Sequence, residues 1–201
     1  MRIVLATSNK GKVREIKAMC SDFEVVPYTD LIEAFEIIED APDFKGNALI
    51  KARAVYAALG DEDAIVLSDD SGISVDVLNG EPGVYSARYA GADASDKENL
   101  GKLVDEVKSR GVESSPAHYT AAIAIVTKEG EQTVHGWMYG DVITSPRGDN
   151  GFGYDPCFIP EGFEDKQSYL QYLVFEGLKK RYNEITPEIE ERALFELKTI
   201  E

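Results

Sequence analysis

The sequence predicts an α/β fold on a mixed sheet, for three reasons. In the first half, short apolar runs alternate with stretches of helical spacing. In the second half, two long strand-like runs meet at a turn and form a hairpin, which a purely parallel sheet does not contain. The 201 residues, 43% of them hydrophobic, supply enough apolar material for one proper core. That length suits one domain or two tightly fused lobes.

Taken in order, residues 2–6, RIVLA, read as a first strand. TSNKGKVREIKAMC switches to helical spacing, with Val13, Ile16 and Met19 on one face. FEVVPY reads as a second strand, and residues 29–44 as an acidic, irregular loop. KGNALIKARAVYAALG is rich in strong helix formers and stops at Gly60, a residue suited to a left-handed helix end. AIVLS reads as a strand and ISVDVL continues its alternation. NGEPGVYSARYAG is dense in turn formers. SDKENLGKLVDEVKSRG is an amphipathic helix with Ser95 at the N-cap and Glu98 at the capping-box position. AHYTAAIAIVTKEGEQTVHGWMYGDVI predicts the hairpin, turning at KEGE. A Gly/Pro-rich loop, SPRGDNGFGYDPCFIP, leads into a short strand, and the tail from about residue 169 is helical with a break near Pro187.

Charge and cysteine content exclude several function classes. With 21 basic against 37 acidic residues the net charge is −16, which argues against general binding to a nucleic-acid backbone. Such a balance leaves room for a small phosphate ligand held by a few lysines and a divalent metal. Cys20 and Cys157 stand far apart with no zinc spacing, so neither a metal finger nor a disulfide framework is expected. The apolar stretch at the N-terminus is too short for a signal peptide, and no run approaches transmembrane length. A soluble cytoplasmic protein that binds no membrane is the expectation.

Four short stretches carry candidate chemistry. ATSNKGK lies between a strand and a helix, where backbone N–H groups favour anions. Thr7, Ser8 and Asn9 supply hydrogen bonds there and Lys10 and Lys12 supply charge, although an ordinary helix cap reads equally well from these residues. The acidic loop Glu36, Glu39 and Asp40 precedes Asn47 and Lys51, which share one helix face. Glu39 reads either as a metal ligand or as a loop charge. In IVLSDDSGIS, Asp69 and Asp70 follow an apolar run that reads as a strand, at its end, the position at which α/β folds place ligands. In an extended chain the two carboxylates point to opposite sides, so they have different tasks; the bland alternative is a surface turn. GFGYDP places an aromatic between glycines, suited to stacking on a flat base and equally to packing in a tight loop. His118 and His135 fall in the hairpin and read as structural.

Together these pieces resemble the inosine triphosphate pyrophosphatase family. The resemblance rests on ATSNKGKVREI, FKGNALIKARAV, LSDDSGISVDVLNGEPGVYSARYAG and GDNGFGYDPCFIPEGF, and spans about residues 2–163. It implies hydrolysis of an inosine, xanthosine or deoxyinosine triphosphate to the monophosphate and pyrophosphate. It also implies magnesium, a homodimer, and a long mixed sheet between two lobes of a single 1–201 domain with the nucleotide in the cleft. Thr7, Asn9 and Lys12, with Ser8, Lys10 and Gly11 in the same segment, match the triphosphate-binding residues. Lys51 matches a helix lysine directed at phosphate, Glu39 a metal-binding acid, and Asp70 the catalytic acid and a metal ligand. Ser71 stands beside the substrate, and Phe152, Gly153, Tyr154 and Asp155 match the base-binding loop. On this reading Asp69 raises the proton affinity of Asp70 by like-charge repulsion.

The match fails in the tail. The family carries a Ser-His-Arg motif on a C-terminal helix, and no histidine follows His135 in this chain. Residues 164–201 are therefore atypical, and Lys179, Lys180 and Arg181 receive no family role. Tyr169, Tyr172 and Phe175 suggest packing. Two alternatives stand beside the main reading. One is a Maf-like pyrophosphatase acting on pyrimidine or modified nucleotides. The other is a nucleotide-binding protein without turnover.

Overall fold

The computed structural model describes residues 2–148 and 153–199. One six-stranded sheet organises them, with strand order β2-β1-β3-β4-β5-β6. Its strands are β1 (Arg2–Leu5), β2 (Glu24–Pro27), β3 (Val66–Val75), β4 (Ser114–Thr127), β5 (Gly130–Ile143) and β6 (Phe158–Pro160). β1 pairs in parallel with β2 and β3, whereas β3–β4, β4–β5 and β5–β6 are antiparallel. The mixed sheet read from the sequence is thus present. The helices are α1 (Lys10–Met19), α2 (Phe44–Leu59), α3 (Asp96–Ser109), α4 (Lys166–Arg181) and α5 (Pro187–Thr199).

Side-chain alternation on β3 assigns the helices to faces. Val66 and Ser68 point to α2, where the Ser68 hydroxyl donates to the Ala48 carbonyl and Ala48, Ala52 and Val55 close an apolar cluster with Ala124 and Val126. Leu67 points the other way, into a cluster with Ile3, Leu5 and Ile16 of α1. Ile73 and Val75 continue on that second face against Leu103, Val104 and Val107 of α3. Full burial of side chains such as Leu5, Val66 and Ile73 is worth about 1.5–3 kcal/mol each relative to exposure.

Two helix ends behave as their sequences dictate. The Ser95 hydroxyl accepts from the Glu98 amide and the Glu98 carboxylate accepts from the Ser95 amide, closing the capping box of α3. α2 ends at Gly60, whose φ of 62° is left-handed.

One expectation changes. SDDSG is neither a strand end nor a turn, because β3 runs unbroken for ten residues through both acids. The strand that ends is β1: it pairs with β3 only at Val66 and Leu67. Beyond Leu67, the β1-side edge of β3 therefore lies open to the loop that leads into α1. The turn reading fails because β4 pairs with every residue of β3, from Val66↔Val126 to Val75↔Ala117, and holds it extended.

Candidate active site

Where β1 stops, a cleft opens over the middle of β3. One hollow of about 310 Å³ has Thr7, Ser8, Glu39, Lys51 and Asp70 among its walls. A second, of about 440 Å³, is bounded by Tyr119 and by Gly153, Tyr154 and Asp155. Asn9, Lys12, Asp69 and Ser71 line both, so the two hollows are one elongated cleft with Ser71 exposed on its floor.

The adjacent acids point to opposite faces of β3, and each meets a lysine from a different helix. Lys12 of α1 pairs with Asp69 Oδ2 at 2.5 Å. Lys51 of α2 bridges Asp70 Oδ1 and Glu39 Oε2, each at 2.9 Å. The Asp70 carboxyl is buried, and its Oδ2, like Asp69 Oδ1, accepts no hydrogen bond from the described residues. A buried carboxylate oxygen without a donor is costly unless something else binds it.

Burial pushes the Asp70 carboxyl above its ordinary value, against the opposing pull of Lys51. The like charge that contributes is Glu39, not Asp69. The expectation of repulsion from Asp69 is therefore corrected: Asp69 lies on the other face, paired with its own lysine. Burial also depresses Lys51, but Asp70 and Glu39 outweigh it and leave the ammonium raised.

The acidic loop is tied to α2 by the two residues that share its face. Asn47 Oδ1 accepts from the Ala41 amide at 2.9 Å, and Lys51 holds Glu39. Arg88 donates to the Glu39 carbonyl from the far side at 3.3 Å. The loop is thereby held at three points, two of them on Glu39 itself. Among the described residues no three His, Cys, Asp or Glu side chains gather into a metal cage. Glu39 and Asp70, with one orphaned oxygen, form a two-carboxylate set of the kind magnesium accepts when phosphate and water oxygens complete its shell.

At the head of α1, Asn9 is the N-cap, its Oδ1 accepting from the amides of Gly11 at 2.8 Å and Lys12 at 3.3 Å. Gly11 permits this, since a Cβ there would stand 3.1 Å from that oxygen. The ordinary-cap reading thus holds for Asn9, while Lys12 is no solvated charge. Of Lys10 only the backbone is described.

In the GFGYDP loop, Phe152 lies outside the described residues. Tyr154 is buried, its hydroxyl donating to the Ser86 carbonyl at 2.7 Å, so its ring serves packing as well as the cleft wall. Asp155 Oδ1 accepts from the Tyr119 hydroxyl at 3.1 Å. In the tail, Tyr169 and Tyr172 pack on Phe163 as expected, with centroids 4.9 and 5.4 Å away. Lys179, Lys180 and Arg181 are exposed at the end of α4, and Lys179 pairs with Glu176 of its own helix. None of the three lines the cleft described above.

Sequence reasoning missed Arg88 and Tyr119. Arg88 stands in the turn-rich YSARY, where the sequence suggests packing or an ion pair for it and no chemistry. The alternation of β4 does place Tyr119 on one face with Ala121 and Ile123, but nothing local marks its hydroxyl as facing a loop thirty-six residues on.

The chain is similar over most of its length to known proteins. A dITP/XTP pyrophosphatase of Sulfurimonas denitrificans is 68% identical over 168 residues, 82% of this chain and 84% of that protein. A protein of the same name from Nautilia profundicola is 52% identical over 181 residues, 90% of this chain and 92% of its own. Among solved structures, the Staphylococcus aureus Ham1 protein superposes with a TM-score of 0.72 at 34% identity, over 82% of this chain and 84% of that one. A nucleoside-triphosphatase / dITP/XTP pyrophosphatase from Mycobacterium abscessus gives 0.70 at 34% identity, over 90% and 97%. Residues 3–186 match the Ham1 family, and the chain belongs to it.

Proposed function

We infer that this chain is a dITP/XTP pyrophosphatase, hydrolysing deaminated purine nucleoside triphosphates to the monophosphate and pyrophosphate. The observation that carries the chemistry is the Asp69/Asp70 pair: one carboxylate on each face of β3, each balanced by a helix lysine, on the floor of one cleft. The 50–68% identity to proteins of that name over most of the chain supports the substrate class.

In this reading Asp70 orients and deprotonates the attacking water through Oδ2, the oxygen without a partner among the described residues. Its raised proton affinity makes it a better base than an ordinary aspartate. Lys12 and Lys51, beside Thr7, Ser8 and Asn9, offset the charge of the triphosphate. Glu39 and Asp70 would hold magnesium, which supplies charge neutralisation on phosphoryl oxygens when bound. The GFGYDP loop takes the base at the other end of the cleft. A site that donates to the 6-oxo group leaves adenine's amino group badly paired.

The reading includes a homodimer and a cytoplasmic location. Two features support the dimer. Helix α2 covers only part of its sheet face, leaving a hollow of about 900 Å³ bounded by His118, Thr120, His135, Trp137 and Tyr85. Trp137 and Tyr85 on its walls, and Tyr139 on the same sheet face, are all more than half exposed. No helix among the described residues is long and apolar enough to cross a membrane. The division into two lobes is part of the same reading, supported by the cleft between the α1 and α2 sides of β3.

Pyrophosphate release from ITP, XTP, ATP and GTP, with and without magnesium, tests the function. Release from ITP and XTP at least about tenfold faster than from ATP, and only with the metal, is expected. Equal rates on all four would overturn the specificity, and no release from any would overturn the enzyme.

A further inference from the structure

We propose that self-association and metal binding are coupled in this protein, with Arg88 as the positioning residue that joins the face covered by a second copy to the metal-binding acid Glu39. The proposal rests on the dimer and magnesium readings above and deepens them.

One short element is the wall between the two regions. The 3-10 helix Gly83–Arg88 contributes Val84 and Arg88 to the open hollow of about 900 Å³ on the α2 face. The same two residues line the catalytic hollow that contains Glu39, Lys51 and Asp70. The backbone of this helix is seated on β3. The Ser86 hydroxyl accepts from the Ile73 amide at 2.9 Å and donates to the Gly83 carbonyl at 2.6 Å. The Ser86 carbonyl in turn accepts from the Tyr154 hydroxyl at 2.7 Å. Coupling across this wall is therefore carried by side chains rather than by movement of the helix.

Arg88 makes one contact on each side. Its Nη2 donates to the Glu39 carbonyl at 3.3 Å, at the long end of the hydrogen-bond range. Its guanidinium carbon also lies 5.3 Å from the centre of the Tyr85 ring, within reach of a cation–π contact. Tyr85 is 59% exposed on the wall of the open hollow, so in a single chain this contact is open to water. A second copy seated there removes that water. Both a cation–π contact and a hydrogen bond from a charged donor strengthen when dried. Arg88 then holds the Glu39 backbone more firmly, and the Glu39 carboxylate, already placed by Lys51 at 2.9 Å, is preorganised for a metal. Linkage makes the effect reciprocal, so filling the Glu39/Asp70 site tightens association by the same factor.

Fluorescence-detected sedimentation across a dilution series tests the coupling, with and without magnesium plus the non-hydrolysable α,β-methylene analogue of ITP. These ligands should tighten wild-type self-association at least about fivefold, the lower end of ordinary coupling between sites. Arg88→Lys keeps the charge and loses the planar fork, so its response should fall below about twofold. Tyr85→Phe keeps the ring and should respond as wild type does. In the other direction, Trp137→Glu separates the copies from a position outside the cleft. It should raise the half-saturating magnesium concentration at least about fivefold, with kcat at saturating magnesium within about twofold of wild type. A wild-type dimer indifferent to the ligands, an Arg88→Lys variant with the full response, or an unchanged magnesium requirement in Trp137→Glu overturns the coupling and leaves the dimer standing. Wild type sedimenting as a single chain in both conditions overturns the dimer, and the coupling with it. Pyrophosphate release that needs no magnesium overturns the metal reading instead.

Discussion

The two oxygens of Asp70 have different surroundings, and that difference is the chemistry of the residue. Oδ1 is held by Lys51, while Oδ2 is buried without a donor among the described residues. Because the folded state raises its proton affinity, the stability this carboxyl contributes is present below its unfolded value and lost as the pH rises through its folded one. Once ionised, the group is therefore a net cost to stability. Asp70→Asn should lower kcat by about 10²–10⁴, leave nucleotide binding in place, and give a thermal midpoint equal to or above wild type. A lower midpoint would show that the charge stabilises the fold. Asp69 differs because Lys12 meets it on the α1 side, a distinction that adjacent identical letters hide.

Elements place these residues, and their ends carry much of that work. β1 stops after Leu5 while β3 continues to Val75, and the missing strand is what opens the cleft. α2 contributes Asn47 and Lys51 to one face, so a single helix both anchors the acidic loop and supplies its counter-charge. Close contact adds a constraint at Gly72, where a Cβ would stand 2.4 Å from Ser86 Oγ and 2.7 Å from the Gly83 carbonyl. Only glycine lets the turn-rich segment lie against β3 there. Away from the cleft, α3 offers a clean test of pH linkage. Its Ser95 backbone and hydroxyl donors hold Glu98 below its ordinary value of 4.5. A depressed carboxylate contributes stability above its unfolded pKa and loses it as the pH falls through its folded one. Glu98→Gln should thus destabilise the protein at pH 7, with the gap to wild type closing below about pH 4. Denaturant unfolding at the two pH values measures it, and a gap that persists in acid would assign the effect to packing.

Across the whole molecule the sheet has one face that its own helices do not finish. α2 covers Ser68, Ala124 and Val126, yet Thr120, Ala122, His135 and Trp137 on the same face border a hollow that no helix among the described residues spans. β6 is short and pairs with β5 only at Gly140 to Val142, so most of β5 is also an open edge. A second copy of the 22.1 kDa chain is the proposed cover. Sedimentation equilibrium should show twice that mass for wild type, and Trp137→Glu should weaken self-association at least about tenfold. Wild type at the mass of a single chain would overturn the dimer. The high net negative charge is not concentrated here, since Asp43 and Glu81 around the hollow are matched by Lys45 and Arg88.

Much was legible in the residues because the signals were local. Helical spacing, the Ser95/Glu98 box and the Gly60 stop set α1, α2 and α3, and the hairpin set β4 and β5. The four-residue spacing of Asn47 and Lys51 put both on one side of α2, and extended geometry sent Asp69 and Asp70 apart. Tertiary structure decided which partner each acid received, because Lys12 and Lys51 reach β3 only once α1 and α2 are packed on opposite faces. It also decided that SDDSG is the middle of a strand, since pairing with β4 overrides the turn preference of Asp, Ser and Gly. Tyr119 and Arg88 stayed hidden for the same reason: their contacts join segments far apart in sequence. Local chemistry thus sets what each segment can be, and long-range packing sets what each side chain meets.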